Sequence, residues 1–304
     1  MSTAVEKWTK DNRDVARRFK AFRQVAGLSQ RDAATLLRTS DSIVSQVETG
    51  TYAGNVDRIV ASMQRAMKRF AERSKTPAKP RFRKTVVAEK VLHLLRWAHL
   101  DRSLFVVLGD PGIGKTMASL RYARSEKDVI HITLGPGCSP RSVLHDLTDA
   151  LRIPWRNAVR DMRREIISAL KGTDILVVTD DGDWLGHHQD TLHHLRIIQE
   201  DALIGMVILA TPAFESDLRR RANGTTQQFL DRAAVHRLQS SSDDDLDTVT
   251  REYELDAEAR RVLRLGCGGS ARRAVNAVRL AARMGDGAIT APRIESALKN
   301  LKKL

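Results

Sequence analysis

The residues whose types and spacing most clearly imply chemistry are Gly109, Asp110, Pro111, Gly112, Ile113, Gly114, Lys115 and Thr116, at the end of the stretch FVVLGDPGIGKT. They form Gly-x-x-x-x-Gly-Lys-Thr directly after an apolar run. In that pattern the glycines let backbone amides curl around a phosphate, the lysine reaches the β- and γ-phosphates, and the threonine hydroxyl ligates Mg²⁺. The following MASLRYARS is compatible with a helix, whose positive dipole end would face the anion. ATP and Mg²⁺ are therefore the expected cofactors of a P-loop.

A second loaded stretch is ILVVTDDGDWL, Ile175 to Leu185. Its apolar residues read as a central strand delivering Asp180 and Asp181 to its carboxyl end, where the ligands of parallel sheets bind. Asp180 is placed to hold Mg²⁺, and Asp181 to orient and polarise an attacking water. Adjacent carboxylates after a strand otherwise cap a helix, but Lys115 upstream favours the nucleotide role. A further strand, Met206 to Ala210, ends at Thr211, a sensor for the γ-phosphate or the water. Arg232, in QFLDR, is expected to reach a neighbouring subunit's nucleotide as a finger. Arg272, in GGSARRAVNAV, is the expected second sensor.

These residues need elements to position them, and 304 residues with 42% apolar content fill two or three ordinary domains. No apolar run approaches the length needed to cross a bilayer, and MSTAVEKWTK lacks a signal-peptide core, so a cytoplasmic protein without membrane partners is expected. Cys138 and Cys267 lie far apart without metal-type spacing, which fits packing in a reducing compartment. His187, His188, His193 and His194 lack the spacing of a helix-borne metal pair, and LHHLRIIQE reads as a helix carrying them outward. The acidic run Asp243 to Asp247 reads as the cap of a late helix.

Charge is uneven. Residues 1–84 hold 19 Lys/Arg against 8 Asp/Glu, a balance of +11 out of a net +14 for the chain. Such concentration favours a polyanion partner, most simply nucleic acid. Within it, LSQRDAATLLRTSDSIVSQVETG resembles the helix-turn-helix of phage-repressor-like proteins. Small Ala33 and Ala34 let two helices cross, Ile43 and Val47 face inward, and Ser42, Val44, Ser45 and Gln46 face outward as a recognition helix. Because those outer residues are short and polar, weak or non-specific DNA contact is favoured over strong base reading. In AERSKTPAKPRFRK, residues 71–84, two prolines and many cations read as an extended basic linker.

The order of helix-turn-helix, Pro-Arg-Phe at 80–82, GDPGIGKT, VVTDDGDWL, LRIIQE, FLDRAA and GGSARRAVNAVRLAA resembles the family of the phage Mu transposition protein B. The resemblance implies an α/β fold: a P-loop AAA+ core with a parallel sheet (85–240), a small all-α helix-turn-helix domain before it (1–70, then the linker 71–84), and a helical lid after it (241–304). It further implies an ATPase that assembles with itself into a helical filament on double-stranded DNA, with little sequence preference. That filament would deliver DNA to a DDE transposase, stimulate strand transfer and be dismantled by hydrolysis. Arg156, Arg160, Arg163 and Arg164 fall where such proteins carry DNA-contacting cations. Two departures stand out: Asp181 occupies the position of a Glu, and Thr211 that of an Asn. The competing reading is an ATP-regulated transcription factor whose helix-turn-helix reads a defined operator, with a helicase-loader or replication-initiator ATPase behind it.

Overall fold

The computed structural model describes residues 8–74, 81–221 and 224–302, and the chain divides into two compact units, Met1–Pro77 and Ala78–Leu304. The first is all helical: α1 (Lys10–Val25), α2 (Gln30–Leu37), α3 (Asp41–Thr49) and α4 (Val56–Ser74). Short polar side chains start the first three. Thr9, Ser29 and Ser40 each accept a backbone N–H of the first turn, and Asp32 returns a capping-box bond to Ser29. Arg38 and Gly50 end α2 and α3 in the left-handed conformation.

Phe19, Ala33, Ala34, Val44, Val47 and Met63 are buried in one core. Val44 is fully buried, so the expectation that it faces outward is corrected. The seam of α3 runs through Val44 and Val47, three apart on one face, and leaves Ile43 at its edge. Ser42 and Gln46 are exposed and Ser45 is half-buried. Helix α4 continues to Ser74, into the stretch expected to be extended. Pro77 and Pro80 of that stretch lie outside the described residues.

Polar charge also enters this core. Arg23 donates through Nε to Glu48 at 2.7 Å and through Nη2 at 3.1 Å, and through Nη1 to the Leu28 carbonyl at 2.8 Å. Gln30 adds a further bond to Glu48 at 3.2 Å. Burial pushes the Glu48 carboxyl up, but the bonds from Arg23 and Gln30 prevail and hold it below its ordinary value.

The second unit begins with α5 (Val86–Asp101) and continues through β1 (Leu104–Leu108), α6 (Lys115–Ser125), β2 (Val129–Thr133), α7 (Pro140–Leu151), α8 (Val159–Leu170) and β3 (Leu176–Asp180). A short 3-10 turn (Gly182–His187) leads to α9 (Gln189–Ala202), β4 (Gly205–Ala210), α10 (Pro212–Arg220), α11 (Gly224–Arg232) and β5 (Ala234–Arg237). The strands form one parallel sheet in the order β2-β3-β4-β1-β5. The fold is thus the expected α/β one.

Continuous apolar runs such as LFVVL and GMVILA suit strands covered on both faces. Alternate residues feed two cores. Val106, Leu108, Val177, Met206 and Ile208 pack with α7 to α11, while Phe105, Val107, Val178, Val207 and Leu209 pack with α5 and α6.

Four helices close the chain: α12 (Asp243–Thr250), α13 (Ala257–Cys267), α14 (Ala271–Ala282) and α15 (Ala291–Leu301), around a core of their own. The cap of α12 is Ser242, with Asp245 completing a capping box. The acidic run thus fills the first turn and joins the cap through Asp245, whose Oδ1 also accepts the Val86 N–H at the start of α5 at 2.6 Å. Cys138 and Cys267 are buried and free. Among the described residues no helix is long and apolar enough to cross a membrane.

Candidate functional site

Parallel pairing puts the carboxyl ends of β1, β3 and β4 side by side, with Leu108 opposite Ala210. The loop 109–114, Asp181 and Thr211 leave the sheet at this one edge. Gly112 and Gly114 take positive φ, 86° and 111°, which β-carbon-bearing residues rarely adopt. Gly114 is also the cap residue of α6, and no side chain caps that helix. The helices α1, α2, α3, α5, α7, α12, α13 and α14 each start from a Ser, Thr or Asp whose side chain accepts a first-turn N–H, whereas α6, like α8, α9, α10 and α15, has no side-chain cap. At α6 those donors stay available to an external anion, so the loop fits a phosphate chain.

Lys115 is 9% exposed. Its ammonium donates to the Gly109 carbonyl and, at 3.2 Å, to the Asp110 carbonyl. Burial pushes its pKa down against the pull of Asp183, Asp180, Asp110 and Asp181. Thr116, half-buried in the first turn of α6, and Asp180, 2% exposed at the end of β3, are the oxygen donors suited to a divalent cation. Among the described residues no group of three His, Cys, Asp or Glu forms a metal cluster by itself, so such a cation would complete its coordination with phosphate and water.

Asp181 has φ 53° and ψ 41°, a left-handed backbone that Asp adopts more readily than most residues with a side chain, and its N–H donates to Asp180 Oδ1 at 3.0 Å. Partial desolvation, then Asp180 and Asp183, push the Asp181 carboxyl up, although the side chain reaches solvent and Arg272 and Lys115 pull the other way. Thr211 does not stand alone. Its N–H lies 3.1 Å from both Asp183 carboxylate oxygens, and its hydroxyl donates to Asp183 Oδ1 at 2.5 Å.

Arg272 is exposed at the start of α14, and its N–H donates to the Gly112 carbonyl at 2.9 Å. Ser270 packs against the same glycine, where a β-carbon would stand 2.5 Å from its Oγ.

Arg232 is not brought to this edge. It precedes β5, whose Ala234 pairs with Phe105 near the amino ends of the strands, and its guanidinium is paired with Glu200 of α9. The basic patch is also divided: Arg156 bonds Glu165 at 2.8 Å and Arg163 meets His194 at 3.0 Å, while Arg160 and Arg164 are exposed. His193 and His194 are half-buried rather than outward-facing, because α9 packs against α8.

Four residues at the site were not singled out from the sequence. Asp183 carries a readable signal, three positions past Asp180. Ser240 donates to Asp110 Oδ2 at 2.8 Å, and Ser119 bonds both the Thr116 carbonyl at 3.1 Å and His131 Nε2 at 3.0 Å. Only tertiary pairing reveals those three.

Within this α/β unit, residues 98–218 match the family model described as an AAA domain. Over part of its length the chain is similar to phage proteins named as target-DNA activators. It is 32% identical to the ATP-dependent target DNA activator B of Escherichia phage Mu over 59% of this chain and 57% of the relative. It is 30% identical to the Mu-like prophage FluMu DNA transposition protein B of Haemophilus influenzae over 52% of this chain and 55% of the relative. The matches thus span little more than half of these relatives. The Aeropyrum pernix ORC1 protein, solved in complex with DNA, shares the fold with a TM-score of 0.55 at 18% identity, over 71% of this chain and 65% of that one.

Proposed function

We propose that this chain is a cytoplasmic ATP-dependent DNA-binding ATPase that assembles into filaments on target DNA and delivers it to a DDE transposase. One observation carries the reading. Lys115, Asp180, Thr211 and the Arg272 backbone meet around a glycine loop whose helix keeps its first-turn donors free, in a chain similar to proteins named as target-DNA activators. In this reading the amides of residues 109–114 and Lys115 hold the β- and γ-phosphates. Thr116 and Asp180 hold Mg²⁺, which neutralises charge on the phosphates when bound. Asp181 polarises the attacking water, and Arg272 reports nucleotide to α14.

Arg232 points away from its own loop, as a group serving a neighbouring subunit would. Taking that role requires release from Glu200. DNA is held without sequence preference by the exposed cations, Arg160 and Arg164 foremost, and by the α2–turn–α3 pair acting as a helix-turn-helix through Ser42, Ser45 and Gln46.

The deciding experiment mixes the protein with ATP and unrelated DNA duplexes and looks for filaments by negative-stain electron microscopy. Nucleotide-dependent filaments on every duplex are expected. Binding to a single sequence without filaments would establish the operator-reading transcription factor instead.

A further inference from the structure

Trp155 is 44% exposed, on the connection between α7 and α8. The chain leaves α7 at Arg152 in the left-handed conformation, packs Ile153 against the core shared by α7 to α11, and then exposes every residue from Pro154 to Ala158. An indole is a large apolar surface that folding ordinarily hides. Here the chain shows it to solvent and fixes it there. The Arg141 guanidinium carbon lies 5.1 Å from the ring centroid, in a cation–π contact. The His145 ring, one turn further along α7, meets the indole edge-on at 6.1 Å. The next residue, Arg156, is tied to Glu165 of α8 at 2.8 Å, so the connection is held from both helices.

The polar groups around the ring are unspent. Trp8 and Trp97 give their indole N–H groups to the Tyr52 carbonyl and to Asp101. Among the described residues the Trp155 N–H has no such partner, and no carboxylate pairs with Arg141, Arg152, Arg160 or Arg164, all of them exposed. An acidic peptide would use those cations and leave the ring idle. A nucleic acid matches both, with phosphates for the guanidinium groups and a flat π-face for the indole.

Inside a closed duplex the base faces are already stacked, and parting a step costs about what one aromatic contact returns. A base that is already unpaired offers its face without that cost. We propose that Trp155 is a stacking platform for an unpaired base of the bound DNA, so that the protein prefers DNA with an opened or gapped segment to an unbroken duplex. This rests on the DNA-binding reading above and adds a discrimination to it: the arginines grip the backbone of any DNA, and Trp155 separates unpaired bases from paired ones. Because Arg141 and His145 hold the ring before DNA arrives, little side-chain freedom is lost on binding.

The test measures, by fluorescence anisotropy over a series of salt concentrations, the affinity of the full chain for a labelled duplex and for the same duplex interrupted by a single-stranded gap. A non-hydrolysable ATP analogue is present throughout. The parent is expected to bind the gapped DNA about 10-fold more tightly. Trp155→Ala is expected to abolish that preference while affinity for the intact duplex stays within about threefold. The slope of log K against log salt should not change in this variant, because stacking releases no counterions. Trp155→Phe keeps a π-face and should retain most of the preference. Equal affinity of the parent for the two DNAs, a preference that survives Trp155→Ala, or a phenylalanine variant as indifferent as the alanine one would overturn the proposal. So would a salt slope lowered by Trp155→Ala, which would show the residue acting through the arginines. A parent chain that binds neither DNA would instead refute the DNA-binding reading, and this inference with it.

Discussion

Two cations, the half-buried Arg23 and the buried Lys115, set the two units apart. In the N-terminal unit Arg23 spends its guanidinium on Glu48 and a carbonyl, and the pair is sealed, with side chains 13% and 2% exposed. In the sheet unit Lys115 is buried, yet its hydrogen bonds go to main-chain carbonyls, while four carboxylates around it act through space. The first arrangement is closed: each charge meets its complement and nothing is left to recruit. The second is open: a cation, a set of acidic oxygens and uncapped helix donors are gathered for a ligand carrying both phosphate and metal. Buried charge matched inside the chain is architecture, and buried charge left to be matched marks a site.

The sharpest way to break this contrast is to open the closed pair. Glu48→Ala leaves the half-buried Arg23 guanidinium without its carboxylate and is expected to cost about 1–3 kcal/mol in the N-terminal unit, read by urea denaturation. A cost below about 1 kcal/mol would show the pair behaving like a surface one. The same pair gives a pH signature. Because the Glu48 carboxyl is held below its unfolded value, its contribution is complete above about pH 4.3 and is lost as pH falls through the lower, folded value. Glu48→Gln should remove that acid sensitivity.

Closing the open site works in the other direction. Lys115→Ala should lower ATP affinity about 10–100-fold, the equivalent of one charge-assisted bond, with little change in stability, measured by analogue binding and a thermal melt.

A smaller effect belongs to the exposed cations. Replacing Arg160 and Arg164 together with alanine should reduce the slope of log K against log salt by about 0.9 for every phosphate that the two guanidinium groups neutralise. An unchanged slope would place the DNA elsewhere.

The smallest effect concerns a group that packs and does nothing else. Burial pushes the Cys267 thiol up to about 11. At pH 8 about one thiol in a thousand is then ionised, and iodoacetamide should leave Cys267 unmodified until the protein unfolds.

How much of this was written in the sequence follows from how local each signal is. The strands were legible because doubly covered parallel strands are unbroken apolar runs, and the glycine loop because its conformation restricts residue type. The inward face of α3 was misjudged because Ile43, Val44 and Val47 are all apolar and the periodicity cannot choose between neighbouring seams. Only packing against α1, α2 and α4 selects Val44. The acidic run at the start of α12 concealed that Ser242 is the N-cap and that Asp245 both completes its capping box and reaches α5. Arg156, Arg163 and Arg232 read as free cations, because Glu165, His194 and Glu200 become their partners only through tertiary structure. Asp183 stands legibly three positions past Asp180, but its bond to Thr211 arises only where the turn at Gly182 folds back on β4.

The link between the glycine loop and α14 is a main-chain bond, from the Arg272 N–H to the Gly112 carbonyl. Evolution can therefore exchange the side chain at 272 freely and still keep the loop and the C-terminal helices mechanically joined. An alanine scan is blind to such a joint. Among the twenty residues only proline lacks the donor, and proline is sterically tolerated in a helix's first turn. Arg272→Pro set beside Arg272→Ala thus separates what the guanidinium does from what the backbone transmits, two inheritances that share one position.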